Sequence, residues 1–179
     1  MKTSSGFTMI ELLAVVMIVS ILMAIGVPSF RYVTTSNRLS SEINGLLGDM
    51  QFARAQAIKE GRTVTVCSST NNSTCSDTAD WSKGWIVFSD PNNDHVVVAG
   101  AILRAQPTLA PDSLKDNTNT LSSATFNRMG LLSTPAVAAN AITLTLHDKT
   151  ATPAWTRCLA IVSQGLVTTQ TPATAAGCK

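Results

Sequence analysis

The sequence predicts an α+β fold in which one long N-terminal helix packs on an antiparallel β-sheet head. Three observations predict it. Residues 12–30 form an uncharged apolar run. Between Leu39 and Ala57 the apolar side chains recur at steps of three and four, the spacing of one helix face. Beyond Gly61 the period drops to two and β-branched residues take over. The 179 residues fit one domain of ordinary size, or one domain with an appendage. Charged residues make up 13% of the chain, about half the usual share. Thirteen basic against 11 acidic side chains give +2, too mild a charge to imply a nucleic-acid binder by itself. With 5% aromatics there is little material for stacking bases. A hydrophobic share of 45% argues against intrinsic disorder.

The uncharged run holds 19 residues, about 28 Å of helix, just enough to cross a bilayer core. An ordinary secretory signal accounts loosely for Lys2 and the small-x-small triplet Ala24-Ile25-Gly26. A plain membrane anchor accounts for the length. Neither explains Glu11 at the edge of the run. A carboxylate costs roughly 2.5–3.5 kcal/mol at mid-bilayer, and less near the interface, so Glu11 calls for a partner. No basic side chain lies between Lys2 and Arg31. Cleavage between Gly6 and Phe7 would create an α-amino group, with a pKa of about 7.7–8 and so mostly charged at neutral pH. That cation would sit four residues from Glu11, or reach the Glu11 of an adjacent subunit. In the second case the ion pair is an assembly contact.

The segment Gly6-Phe7-Thr8-Met9-Ile10-Glu11, followed by the apolar run and Pro28, resembles a type IV prepilin signal of class III. The resemblance implies cleavage after Gly6 by a prepilin peptidase, N-methylation of Phe7, subunit docking through Glu11 and a helix kink at Pro28. Proline also removes a backbone donor and crowds the carbonyl of Ala24, so a local bend is expected on physical grounds. The organisation that follows is a leader over residues 1–6, a transmembrane and assembly helix over 7–30, an amphipathic half over 31–61 and a β-rich periplasmic head over 62–179. Arg31 and Arg38 stand against Lys2 and the starting amine, which leaves the positive-inside rule indecisive. The expected single pass through the inner membrane takes its orientation from the motif.

In the amphipathic half, Leu39, Ile43, Leu46, Met50, Ala53 and Ala57 form one apolar stripe, and Gly61 is a helix stop. A helix over residues 7–60 would measure about 80 Å. Arg54, Lys59 and Arg62 cluster near its end, where cations interact favourably with the helix dipole. Strands are expected over residues 62–68, 85–89, 96–104, 125–128, 141–147, 157–162 and 166–169. Turn-rich stretches cover 69–83, 90–94, 107–123 and 149–154. Short connections favour antiparallel pairing. Along 85–89, either Trp85 with Val87 or Ile86 with Phe88 forms the core face.

This region is similar to the GspH/FimT group of minor pilins and pseudopilins. The similarity lies in Ala53-Arg54-Ala55-Gln56-Ala57-Ile58 running into Val64-Thr65-Val66-Cys67, and in Trp81-Ser82-Lys83-Gly84-Trp85-Ile86-Val87-Phe88-Ser89-Asp90. It continues in Ile102-Leu103-Arg104 and in Thr125-Phe126-Asn127-Arg128-Met129-Gly130. It implies a structural subunit that primes or caps a type IV pilus or a type II secretion pseudopilus. The implied partners are other major and minor pilins or pseudopilins, the prepilin peptidase and inner-membrane lipid. Some FimT-like members are DNA receptors and carry a Gly-Arg-x-Arg motif near the C-terminus. Here the tail Thr174-Ala175-Ala176-Gly177-Cys178-Lys179 holds no arginine, and the only Gly-Arg pair is Gly61-Arg62. DNA reception is therefore the second reading, since phosphate binding scales with the number of basic contacts.

The four cysteines are Cys67, Cys75, Cys158 and Cys178. None forms a C-x-x-C pair and both histidines lie far from them, so zinc is poorly supported. An even count in an exported chain reads as two disulfides. Of the three pairings, Cys67–Cys75 with Cys158–Cys178 is preferred because each bond closes a short loop, worth about 2.6 and 3.3 kcal/mol on chain-entropy arithmetic. Asp90-Pro91-Asn92-Asn93-Asp94 begins like a calcium loop. It then fails, with His95 where glycine is needed and Ala101 where the bidentate glutamate belongs. A hairpin turn explains it better. His95 beside Asp94 and His147 beside Asp148 read as ordinary exposed polar pairs, in a sequence without a nucleophile elbow, Walker loop or dinucleotide fingerprint. The expectation is a protein that is not an enzyme, with no cofactor and no metal.

Overall fold

The computed structural model describes residues 6–76, 78–109, 111–116, 118, 120–134, 142–174 and 177–178. Helix α1 runs over Met9–Glu60, 52 residues. The chain falls into two compact units, the first ending at Asn37 and the second beginning at Arg38. The expected leader residues 1–5, Lys2 among them, lie outside the described residues, as do Ala175, Ala176 and Lys179 of the tail.

In the first unit the helix buries none of its described residues before Asn37. Its most apolar 18-residue window has a mean hydropathy of 2.7, and the helix is long and apolar enough to cross a membrane. In the second unit the remainder of α1 buries Leu39, Ile43, Leu46, Met50, Ala53 and Ala57. Those are the residues of the stripe read from the sequence. Gly61, at φ +64°, ends the helix.

Nine strands follow: β1 Val64–Ser68, β2 Trp85–Ser89, β3 Ile102–Gln106, β4 Ser113–Asp116, β5 Ser123–Phe126, β6 Leu132–Thr134, β7 Ile142–His147, β8 Arg157–Ile161 and β9 Val167–Gln170. They form two sheets where the sequence suggested one. One sheet runs β3-β2-β1-β5-β6 and the other β4-β7-β8-β9. Every pairing is antiparallel.

Three expectations shift beyond differences of one or two residues at the strand ends. The strand expected over 96–104 begins only at Ile102, because His95 sits at φ +60° and the Ala101 amide closes a turn on the Val98 carbonyl. The stretch 107–123, expected as turn, contains β4, which pairs with β7 from Ser113↔His147 to Asp116↔Leu144. β6 was not expected at all. The strand expected over 141–147 is observed from Ile142, residue 141 lying outside the described residues.

The main core joins the helix stripe to Val64, Val66, Trp85 and Val87 of the first sheet and to Leu114, Leu144, Leu146, Leu159 and Ile161 of the second. Apolar area removed from water, at about 25 cal/mol per Å², holds these layers together. A second, smaller core lies on the other side of the first sheet, where Cys67, Ile86, Phe88 and Ala101 pack with Cys75 and Val97. β2 is therefore covered on both faces, so both of its alternating sets are core.

Candidate assembly segment and the polar sites of the head

Gly6 and Phe7 precede the helix and are exposed. Thr8 caps the helix: its Oγ1 accepts from the Glu11 amide at 3.3 Å and its carbonyl from the Leu12 amide at 3.2 Å. Thr8-Met9-Ile10-Glu11 thus has the Thr-x-x-Glu spacing of a capping box, with the side chain of Thr8 satisfying one orphan amide. Glu11 occupies the first turn, where a carboxylate is favoured by the helix dipole. The sequence reading weighed Glu11 for its cost in lipid and for subunit docking and missed this local role, although the spacing was visible. Pro28 lies inside α1 and removes the amide that would bond the Ala24 carbonyl. Phe7, Met9, Ile10 and the apolar side chains that follow are exposed around the whole helix circumference. A helix that is apolar on all sides needs lipid or protein around it.

The cysteines pair as preferred from loop length. Cys67 and Cys75 are bonded with Cα atoms 5.5 Å apart, and Cys158 and Cys178 with Cα atoms 5.7 Å apart. The first bond ties the loop after β1 to the small core. The second ties the tail to β8.

Asp90-Pro91-Asn92-Asn93-Asp94 is a turn in which the Asn93 amide bonds the Asp90 carbonyl at 3.1 Å. The Asp90 carboxylate faces inward. It accepts from Thr65 Oγ1 at 2.8 Å, the Asp94 amide at 3.2 Å and the His95 amide at 3.3 Å. Thr65 Oγ1 also lies 2.8 Å from Thr125 Oγ1, which lies 3.3 Å from His95 Nε2. A hydroxyl carries one proton. Thr65 gives its own to Asp90, so Thr125 donates to Thr65 and His95 Nε2–H donates to Thr125. The chain of bonds has one direction, from imidazole to carboxylate.

The other His–Asp pair is not the exposed pair expected. Asp148 is buried, and His147 directs Nδ1 to the Asp148 carbonyl at 2.9 Å rather than to its carboxylate. Burial pushes the Asp148 carboxyl up, but hydrogen bonds from the Thr150 side chain and the Thr152 and Thr150 amides, with the charge of His147, hold it below the usual range. Asp116 follows the same balance. Burial raises its carboxyl, and bonds from the Thr118 side chain and from the amides of Thr120, Thr118 and Leu121 lower it further than burial lifts it. Among the described residues no three His, Cys, Asp or Glu side chains converge on a metal-sized site.

Two charged contacts were not legible in the sequence. Arg38 grips Asp112 with both arms of its guanidinium, Nε–Oδ2 and Nη2–Oδ1 each at 2.7 Å. The Asp112 side chain is fully buried. Glu42, one turn along, faces the same carboxylate. Burial first, then the charge of Asp112 and a hydrogen bond with it, raise the Glu42 carboxyl to about 7 against the opposing pull of Arg38. Asp49 accepts from Trp85 Nε1 and from Arg104 Nη1, each at 2.9 Å. Arg104 also lies 3.8 Å above the Phe52 ring.

This architecture is shared with the crystal structure of the type IV minor pilin FimU from Pseudomonas aeruginosa PAO1, at a TM-score of 0.60 and 20% identity over 78% of this chain and 92% of that chain. A second crystal form of FimU matches at a TM-score of 0.52 and 18% identity, over 79% of this chain and 94% of that chain. Residues 1–27 match the prokaryotic N-terminal methylation motif. Residues 42–165 match the type II transport protein GspH family, and the chain belongs to that family. It is also 37% identical over 62 residues to the type II secretion system protein H of P. aeruginosa PAO1, a match covering 35% of this chain and 36% of that protein, about a third of the relative's length.

Proposed function

We propose that the chain is a minor pilin or pseudopilin, a structural subunit that primes or caps a type IV pilus or a type II secretion pseudopilus and performs no enzymatic reaction. One observation carries this reading. A Thr8-capped helix end holds Glu11 in its first turn and leaves an entire apolar circumference exposed, on a chain of the GspH family. Prepilin peptidase would cut after Gly6 and leave Phe7 as a methylated N-terminus. The new amine would neutralise Glu11 of a neighbouring subunit as the apolar helix leaves lipid for the filament. Before that step the helix would hold the protein in the inner membrane in a single pass with the head in the periplasm, and Pro28 would let it bend.

Mass analysis of the N-terminus of protein recovered from cells tests the processing. A chain beginning at methylated Phe7 is expected, whereas one beginning near Val27 would indicate ordinary secretion. Glu11→Ala is expected to insert in the membrane yet to be absent from sheared filaments. Normal recovery of that variant in filaments would overturn the docking role.

A further inference from the structure

The end of the head where α1 terminates carries a basic, apolar surface that nothing within the described residues neutralises. The turn after β5 and the turn after β8 stack on each other there, through the Leu132 amide bonded to the Ser163 carbonyl at 3.0 Å. Gly130 and Gly165, at φ +74° and +73°, allow the close approach, since a Cβ on Gly165 would stand 2.1 Å from the Gly130 carbonyl oxygen. Arg54 and Ile58, on the last turns of α1, lie against this stack. Arg54 Nε is 3.0 Å and Ile58 Cδ1 2.8 Å from where a Gly130 Cβ would be. Arg54 Nε is buried and has no hydrogen-bond partner among the described residues, although the residue as a whole is half-buried.

Around this stack Ile58, Met129, Leu131 and Leu166 are exposed, Met129 by 65%. Beside it, Arg62 and Arg128 line one cleft of about 310 Å³ with Thr63 and Asn127. The helix end and the two turns hold four cations, Arg54, Lys59, Arg62 and Arg128, against one acid, Glu60. Asp90 is near in space but turns its carboxylate inward to Thr65 and His95. Among the described residues the ion pairs form elsewhere, at Arg38–Asp112 and Arg104–Asp49. The helix dipole explains Lys59 and Arg62. It does not explain Arg128, which comes from a strand turn, or the four apolar side chains set among the cations.

We propose that this surface docks an acidic, partly apolar segment of a neighbouring filament subunit. The proposal rests on the filament reading above and adds to it the face of the head that makes the contact. Charge complementarity fixes the sign of the partner. The exposed apolar side chains favour a protein segment over a nucleic-acid backbone, which would satisfy the arginines and leave Met129 and Leu166 in water.

The test places a benzophenone amino acid at position 129 of the full chain, in cells that assemble the filament, with a matched probe at the exposed Thr150 as control. Ultraviolet light is expected to join position 129, and not 150, to a peptide of another pilin subunit that contains Asp or Glu. Arg62→Glu with Arg128→Glu is expected to lower that yield at least about tenfold, and reversing the mapped acid to lysine should restore it. Both arginines are exposed, so an unchanged melting temperature confirms that the head still folds. A crosslink to phospholipid, to nucleic acid or to a peptide without acids overturns the proposal, as does a yield indifferent to the charge reversal. If Glu11→Ala still abolishes assembly while position 129 finds no acidic partner, the docking surface alone fails. If the unaltered chain is itself absent from sheared filaments, the filament reading fails with it.

Discussion

Helix α1 presents two regions built from the same backbone under opposite demands. Before Asn37 its apolar residues fill every face and none is buried. From Leu39 onward one stripe of apolar residues is buried to its last member, while Ile58 on the closing turn stays exposed. A stripe matches a one-sided partner, here two sheets of the same chain, whereas an all-round apolar surface matches a medium that surrounds the helix. The periodicity of the pattern therefore separates a helix that completes a domain from one that awaits its surroundings.

The sharpest way to break the comparison is to make the same truncation on both sides. Leu46→Ala, at a fully buried position, is expected to lower the unfolding free energy by roughly 2–5 kcal/mol. Leu22→Ala, in the exposed run, should leave it unchanged. Denaturant titration of the full chain in micelles, followed by tryptophan fluorescence, reads both, because all three tryptophans lie in the head. Next in size come the disulfides, which brace the unit built on the buried stripe. Replacing Cys158 and Cys178 by serine should cost about 3.3 kcal/mol, and replacing Cys67 and Cys75 about 2.6 kcal/mol. A larger loss for the shorter loop would show that the bond acts on the folded state rather than on chain entropy.

The smallest effect concerns pH. Between 4.5 and about 7 the folded chain holds the Glu42 proton more tightly than the unfolded chain does, so raising the pH through that window favours unfolding. Glu42→Gln should flatten the decline in melting temperature between pH 5 and pH 8. A decline as steep in the variant would remove Glu42 as its source. Solvent at this half-buried site keeps the effect modest. At the acid end the order reverses. Asp116 and Asp148, both held below 3.8, contribute stability that is lost as the pH falls through their folded values.

Much of the fold was legible because periodicity reports burial directly. The helix stripe and the bounds of β2 agree with the structure residue for residue. β4 escaped because Ser113-Leu114-Lys115-Asp116 offers one apolar residue in four. Its second inward position is Asp116, a carboxylate made tolerable by hydroxyls and amides a few residues on. The valines at 96 and 98 imitated a strand, but the left-handed backbone of His95 and the turn from Val98 to Ala101 deny it. Arg38 and Asp112 are 74 residues apart, and no local pattern couples them. In the candidate assembly segment the motif singles out Gly6, Phe7, Glu11 and Pro28 for roles that remain proposals, while the cap on Thr8 needed the helix start to be seen.

The one-way chain from His95 to Asp90 has a consequence for the register of the first sheet. Thr65 and Thr125 stand directly opposite each other across β1 and β5, and their hydroxyls pass hydrogen in a single direction. A slip of one residue would set Ala124 or Phe126 opposite Thr65 and turn the other set of side chains inward. The two threonines therefore act as a latch on the pairing of these strands.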